Sequence, residues 1–134
     1  MEIIWVLENV TKENQFYNWI KKHSKNIYFD KIENSLSVGI ADLLVIISGH
    51  IALIELKQIN TNTLENYGLN KFQKAWHIKH NKHGGNAFIL LLYQKQKALK
   101  LLRLGAVGFS HIITQPKSKD GLQKIWAMIK NYKK

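Results

Sequence analysis

The chain has 134 residues, which is the length of one domain, with 20 Lys and Arg residues against 9 Asp and Glu residues and no cysteine. The missing cysteines exclude disulfide bonds, thiolate metal sites and thiol catalysis. The sequence shows neither a cationic leader followed by an apolar core nor an apolar run of membrane-spanning length, so we expect a soluble cytoplasmic protein without a membrane partner.

The formal net charge of +11 favours a polyanionic partner. Nucleic acid is the first choice, because neutralising its phosphates releases condensed counterions. A lysine coat that only keeps the protein in solution is the alternative interpretation.

The first half of the chain predicts one helix and three strands. In chain order these are a helix over 11–23 that Thr11 can cap, a strand over 27–32, and a β-hairpin with strands over 42–47 and 51–58 around Ser48-Gly49-His50. A polar loop over 59–68 follows the hairpin.

The second half predicts a helix over 69–83, ended by Gly84 and Gly85, and a buried strand over 86–93. Residues 97–104 are expected to return as an antiparallel strand, although a helix fits them almost as well. A last helix covers about 120–132. The order α-β-β-β-α-β-β-α predicts an α/β (mixed α+β) fold, a single domain over 1–134 with a central mixed sheet flanked by helices.

The predicted hairpin contains charged residues within apolar strands. Asp42 opens the first strand, and Glu55 and Lys57 lie near the end of the second. Strand side chains alternate, so Glu55 and Lys57 share one face. A turn at 48–50 pairs residue 42 with about residue 56, and the sequence therefore predicts that two carboxylates and an ammonium group lie together.

This combination suits a hard divalent cation. Mg²⁺ prefers carboxylate oxygens and often takes only one or two of them, together with substrate phosphate. It would polarise a phosphate, while Lys57 would orient water or neutralise charge in the transition state. A salt bridge of Lys57 with Glu55, or a pairing with Asp42, is the structural alternative. Burial of the charges favours a functional site, since unpaired charges among apolar strands are costly.

The segment GIAD, followed after twelve residues by ELK, resembles the signature of the PD-(D/E)XK nuclease superfamily. The succession TKENQFYNWIKKH, KIENSLSVGIADLLVI, IALIELK, LNKFQKAW and HGGNAFILLL is similar to that of virus-type replication-repair nuclease (VRR-NUC) domains, and Holliday-junction resolvases share most of it. The resemblance covers about residues 11–93. Its plain departure is Ala41, where the family usually has proline.

The resemblance implies a restriction-endonuclease-like core and a Mg²⁺-dependent, structure-specific DNA endonuclease, with Mn²⁺ as a substitute. Asp42 and Glu55 match the metal-binding carboxylates, the backbone carbonyl of Leu56 matches a further metal ligand, and Lys57 matches the catalytic lysine. Branched DNA such as the Holliday junction is the leading substrate. Two cuts in a symmetric junction would need a homodimer.

Two further residues receive roles from the same resemblance. Gln73 matches a helix glutamine that braces the active site, and Glu13 matches a first-helix glutamate near the metal or its waters. A solvated position for Gln73, and the preference of helix N-termini for acids in the case of Glu13, are the alternatives.

Nucleic-acid contacts are expected from Lys31 and from the predicted helix over 69–83. Lys71, Lys74 and His77 lie roughly on one side of that helix, one turn apart, where they could follow a phosphate backbone. An exposed helix with its lysines in water is the alternative. The α-helical histidines lack the accompanying ligands of a zinc site.

Other activities stay open at this point. A flap, nicking or repair nuclease of the same superfamily, and a DNA-binding module that does not cleave, are the rivals, and RNA is not excluded as a substrate. Compact lone nucleases of this kind resemble phage recombination or packaging enzymes, which would act in the cytoplasm of a bacterial host.

Overall fold

A computed structural model describes residues 14–32, 39–60 and 65–133 of the chain. Over these residues the protein is a mixed α+β fold with a six-stranded mixed sheet and three helices. The elements are α1 (described over 14–22), β1 (Ile27–Lys31), β2 (Leu43–Ile47), β3 (His50–Ile59), α2 (Lys71–Lys82), β4 (Ala87–Tyr93), β5 (Ala98–Gly105), β6 (Gly108–Pro116) and α3 (Lys119–Lys130). A single 3-10 turn, Glu65–Gly68, precedes α2.

The strands neighbour one another in chain order, from β1 to β6. All neighbouring pairs are antiparallel except β3 and β4, which are parallel. A parallel pair needs a crossover connection, and α2 lies in the segment that makes it. The mixed sheet therefore follows from one helical crossover among otherwise antiparallel neighbours.

The β2–β3 hairpin closes through a tight turn. Ser48 and Gly49 both have positive φ, 48° and 81°, and Ile47 pairs directly with His50. Two central residues with positive φ match the twist of the flanking strands, which is why such turns join hairpins. The sequence predicted a turn of three residues, 48–50, but the turn has only two. The two strands therefore pair one position away from the predicted register.

Helices α1 and α3 pack on one side of the sheet. The cluster there is entirely apolar and comprises Phe16, Ile20, Leu43, Val45, Ile47, Ala52, Ile54, Leu56, Phe88, Leu90, Leu92, Leu99, Leu101, Leu122, Ile125, Trp126 and Ile129. We call this side the apolar face. Alternation along the strands turns the intervening side chains to the opposite side.

That opposite side, which we call the α2 face, has a smaller cluster formed by Ile59, Leu69, Ile89, Leu91, Tyr93, Leu102 and Leu104. Ile78 of α2 packs against this cluster. Asn81 of α2 ties the helix to the sheet: it donates to the carbonyls of Ala87 and Leu104 and accepts from the Ala87 N–H, at 2.9–3.1 Å.

The sequence predicted every described α-helix and strand except one, and the 3-10 turn Glu65–Gly68 lies in the predicted loop over 59–68. The helices near 11–23, 69–83 and 120–132 and the first four strands are confirmed within the described residues, and the segment after β4 is the antiparallel strand β5. The predicted order lacked β6. This strand lies at the edge of the sheet with mostly half-exposed side chains, so the hydrophobic alternation that marks a strand is weak there. Of the helices described, none is long and apolar enough to span a membrane.

Candidate active site

Asp42 lies immediately before β2, at the point where β1, β2 and β3 come together. Its backbone carbonyl accepts a hydrogen bond from the Ile32 N–H at 2.8 Å, and its Oδ2 accepts one from the Leu56 N–H at 3.0 Å. Regular pairing of β2 with β3 reaches only from Leu43 to Ile54 at this end. Beyond the end of β2, the Asp42 carboxylate therefore accepts a hydrogen bond that a backbone carbonyl of the strand would otherwise accept. This bond holds the carboxylate in a fixed position.

Glu55 lies across from Asp42. Because Leu43 pairs with Ile54, continuing the register places residue 42 opposite residue 55, rather than the expected residue 56. The Glu55 side chain is only 2 % exposed, whereas Asp42 is exposed. The hairpin thus brings an exposed and a buried acidic residue to facing positions of neighbouring strands.

Lys57 shares the side of Glu55. The side chains of Ile54 and Leu56 belong to the apolar face, and Ile59 belongs to the α2 face. Alternation then assigns Glu55 and Lys57 to the α2 face. Lys57 is half-buried.

The backbone carbonyl of Leu56 lies at the same end of the hairpin. In an antiparallel ladder the N–H and C=O of one residue point to the same neighbouring strand. The Leu56 N–H points to Asp42, so the Leu56 carbonyl also points toward the edge beyond β2. Two acidic residues and one carbonyl therefore border the same end of the hairpin.

This donor set fits Mg²⁺ better than zinc. Magnesium uses one or two carboxylates, keeps several waters and accepts oxygen ligands from substrate. The described part of the chain contains no cluster of three or more His, Cys, Asp or Glu side chains that could hold a metal ion, as a tetrahedral zinc site would require. The histidines of α2 accordingly do not form such a cluster.

Helix α2 begins against the segment that leads to Asp42. Gly39 has φ of +87°, and a Cβ atom there would overlap the backbone carbonyl of Phe72. Only glycine permits both this φ and this close approach. The contact fixes the first turn of α2 next to the site.

His77 of α2 is completely buried. Neither ring nitrogen has a hydrogen-bond partner within the described structure, and burial, helped by nearby His80, lowers the pKa of His77 from 6.5 to about 4. The negative charge of Asp42 acts in the opposite direction, toward a higher pKa of His77. His77 is therefore a neutral side chain beside the site.

The expected contact of His77 with a nucleic-acid phosphate is wrong for this conformation. The ring is 0 % exposed, so a phosphate cannot reach it. Helix α2 turns its polar His77 and Asn81, four residues apart, toward the sheet, while Phe72 is 50 % exposed. The helix therefore buries polar side chains on the side that faces the sheet. The positions of its apolar residues in the sequence do not predict this orientation.

Gln73 closes a capping box at the start of α2. Its Oε1 accepts from the Asn70 N–H at 3.0 Å, and Asn70 Oδ1 accepts from the N–H groups of Phe72 and Gln73 at 2.9 Å. The N-x-x-Q spacing is a sequence signature of this motif and could have been found before the structure. The role of Gln73 as a brace for the site stays a prediction.

Asp42 also borders a small cavity that is lined by residues of α1 and β1. Its volume is about 140 Å³, and Asn14, Tyr17, Lys31 and Asp42 contribute to its lining. Lys31 Nζ donates to Asn14 Oδ1 at 3.1 Å and lies 4.4 Å from the centroid of the Tyr17 ring. The sequence predicted a role for Lys31 near the site but offered no signal for Asn14 or Tyr17, since only the fold brings these residues of α1 to Asp42.

The remaining predicted site residues are located as follows. Lys71 is exposed and Lys74 is half-buried, both in the first two turns of α2. Glu13 lies outside the described residues. The roles of these residues stay predictions.

Comparison of the chain with the models of known protein families, with curated proteins and with solved structures found no match.

Proposed function

We propose that the protein is a Mg²⁺-dependent endonuclease of the PD-(D/E)XK superfamily that hydrolyses phosphodiester bonds in branched DNA, with the Holliday junction as leading substrate. The observation that supports this proposal most is the position of Asp42. Its carboxylate accepts a hydrogen bond from the Leu56 N–H, and the residue lies opposite Glu55 at the end of the hairpin. Lys57 on the same side as Glu55 completes the set of groups that this chemistry uses.

The succession of elements supports this proposal. A helix, three antiparallel strands, a crossover helix and a parallel fourth strand agree with the restriction-endonuclease-like core that the resemblance implies. Asp42 lies immediately before the second of these strands and Glu55 lies on the third, where the superfamily signature leads one to expect the acidic residues.

Asp42, Glu55 and the Leu56 carbonyl would hold the Mg²⁺ ion. When bound, Mg²⁺ polarises a phosphate and lowers the pKa of coordinated water. The hydrogen bond from the Leu56 N–H holds the Asp42 carboxylate in position before any ligand arrives, which reduces the cost of organising the site. The positive charge of Lys57 stabilises negative charge that develops on phosphate oxygens during hydrolysis.

The basic surface supports DNA as the partner. The chain has a net charge of +11, and the exposed Lys31 and Lys71 lie on elements that border the Asp42 segment. Phosphate contacts position a protein on DNA without reading its sequence, so selectivity would come from the shape of the branch. Two coordinated cuts in a four-way junction would require a homodimer. The enzyme would act in the cytoplasm of the host cell.

The test is cleavage of a panel of substrates: duplex, single strand, flap, fork and four-way junction, each with Mg²⁺, with Mn²⁺ and with EDTA. Wild-type protein should cut branched DNA only with a metal. Glu55→Gln should lower the cleavage rate by roughly 100-fold or more while keeping DNA affinity, because it removes charge but little volume.

The matched control is Asp120→Asn, which makes the same kind of charge change in the first turn of α3 and should cut like wild type. Equal rates for Glu55→Gln and wild type, or no metal-dependent cutting of any substrate, would refute the proposal.

A further inference from the structure

A second groove lies at the C-terminal end of α2, apart from the acidic residues of the hairpin. It has a volume of about 510 Å³. The residues that line it are Trp76, Lys79, His80, His83, Gly84 and Gly85. None of these residues has a role in the proposed hydrolysis.

The groove contains a stacked pair of rings. Trp76 and His80, four residues apart on α2, have ring centroids 4.7 Å apart and planes within 13° of parallel. A Cβ atom at Gly85 would overlap the His80 ring, so the imidazole lies directly on the Gly85 backbone. The indole therefore rests on a support built from a ring and a glycine, which fixes its orientation.

This aromatic pair is not part of the core. Trp76 and His80 are half-exposed, whereas the buried residues of α2 are His77 and Asn81. The groove presents the exposed cationic Lys79 beside the indole, and no Asp or Glu occurs among its described lining residues. A flat aromatic surface beside a cation, in a chain with a net charge of +11, is complementary to a nucleobase and its phosphate.

The groove adjoins the candidate active site through helix α2. The Trp76 ring contacts the edge of His77, with centroids 5.1 Å apart and planes at 83°. The first turn of α2 contacts Gly39, three residues before Asp42, and Trp76 lies about one turn farther along the same helix. A strand whose phosphate reaches Asp42 can therefore extend along α2 toward Trp76.

The geometry points to an unpaired DNA base as the occupant of this groove: the base stacks on Trp76, and Lys79 contacts the adjoining phosphate. Stacking requires a base that is free of its duplex, so the groove selects single-stranded segments next to a branch, flap or fork. Base stacking on an aromatic ring tolerates any base, in keeping with recognition of shape. The inference deepens the proposed function, because it names the part of the DNA that this helix binds.

The test is a binding measurement in EDTA, where no cleavage occurs. Fluorescence anisotropy would follow a labelled oligothymidine of about 12 nucleotides and a blunt duplex of the same length. Trp76→Leu keeps apolar bulk but removes the aromatic face, whereas Trp76→Phe keeps an aromatic face. We expect Trp76→Leu to bind oligothymidine roughly ten-fold more weakly, Trp76→Phe to stay near wild type, and duplex affinity to change by less than about two-fold in both.

The matched control is Tyr28→Leu, which makes the same kind of change at an exposed aromatic side chain of β1, away from α2, and should leave oligothymidine binding unchanged. Equal affinities of wild type and Trp76→Leu, or an equal loss on oligothymidine and duplex, would overturn the inference. Failure of the nuclease proposal shows as absent cleavage by wild type, a separate result that leaves this binding comparison intact.

Discussion

The two faces of the sheet differ in what they bury. The apolar face encloses a large cluster between the sheet and helices α1 and α3. Among the described residues, the buried polar or charged side chains are Glu55, His77 and Asn81, and all three belong to the α2 face. Burying a polar group costs free energy unless it is bonded, and Asn81 is bonded to Ala87 and Leu104. The apolar face holds the fold together, and the α2 face carries Glu55 and Lys57, two residues of the proposed site.

The largest expected effect on stability comes from truncating two neighbouring leucines of β4, one on each face of the sheet. Leu90 and Leu91 are neighbours in β4 and both are 0 % exposed, but Leu90 belongs to the apolar face and Leu91 to the α2 face. Truncating a buried leucine to alanine lowers the free energy of unfolding by about 2–5 kcal/mol. We expect Leu90→Ala in the upper half of this range and Leu91→Ala in the lower half, since water can enter more readily beside polar groups.

Urea unfolding of the two variants measures this difference. Leu91 pairs with Lys57 across the parallel strands, so Leu91→Ala should also slow DNA cleavage by the folded protein, while Leu90→Ala should not. The reverse order of stabilities would contradict the assignment of roles to the two faces.

The next effect concerns pH and the buried His77. Its pKa is lowered from 6.5 to about 4, mainly by burial. Between these values the unfolded chain binds more protons than the folded protein, so the contribution of His77 to stability is present above pH 6.5 and is lost as the pH falls toward 4. The full loss is about 3 kcal/mol.

His77→Leu, which has similar volume and no titrating group, should show a smaller loss of stability on acidification than wild type. Chemical unfolding at a series of pH values measures both, and their difference removes the contribution of all other groups. Parallel curves for the two proteins would mean that folding leaves the pKa of His77 unchanged, which would contradict its lowering by burial.

The smallest effect tests how the Asp42 segment is joined to α2. Gly39 and Gly49 have φ of +87° and +81°, but only at Gly39 would a Cβ atom meet another group within 4 Å. Gly49→Ala should cost about 1 kcal/mol for its backbone conformation. Gly39→Ala should cost about 1–3 kcal/mol more, because the carbonyl of Phe72 must move.

Thermal unfolding of these two alanine variants gives the comparison, with Gly49→Ala as the control for backbone strain alone. If both variants lose the same stability, the contact between residue 39 and α2 does not constrain the structure.

The sequence predicted those features whose cause is local. The apolar runs on either side of Ser48 and Gly49 predicted the β2–β3 hairpin, and the charges at 42, 55 and 57 pointed to its end. The pairing was displaced by one residue, because the positive φ of Ser48 shortens the turn and becomes visible only in the folded backbone.

Other features depend on contacts between distant segments and escaped prediction. The edge strand β6 has too little alternation to stand out. The burial of His77 depends on α2 docking its polar side on the sheet through Asn81, which bonds to Ala87 and Leu104. A hydrophobic pattern assigns the apolar side of a helix to the core. That assignment is wrong for a helix such as α2, which turns polar side chains to the sheet.

The central claim is that the acidic residues 42 and 55 together hold a divalent cation. Electron paramagnetic resonance of Mn²⁺ measures it directly, because free Mn²⁺ gives a sharp signal that diminishes on binding, and no catalysis is needed. With a short DNA duplex present to supply phosphate, we predict one saturable Mn²⁺ site in the wild-type complex, lost in Asp42→Asn and in Glu55→Gln but kept in Asp120→Asn. Identical Mn²⁺ binding by wild type and both hairpin variants would contradict the account.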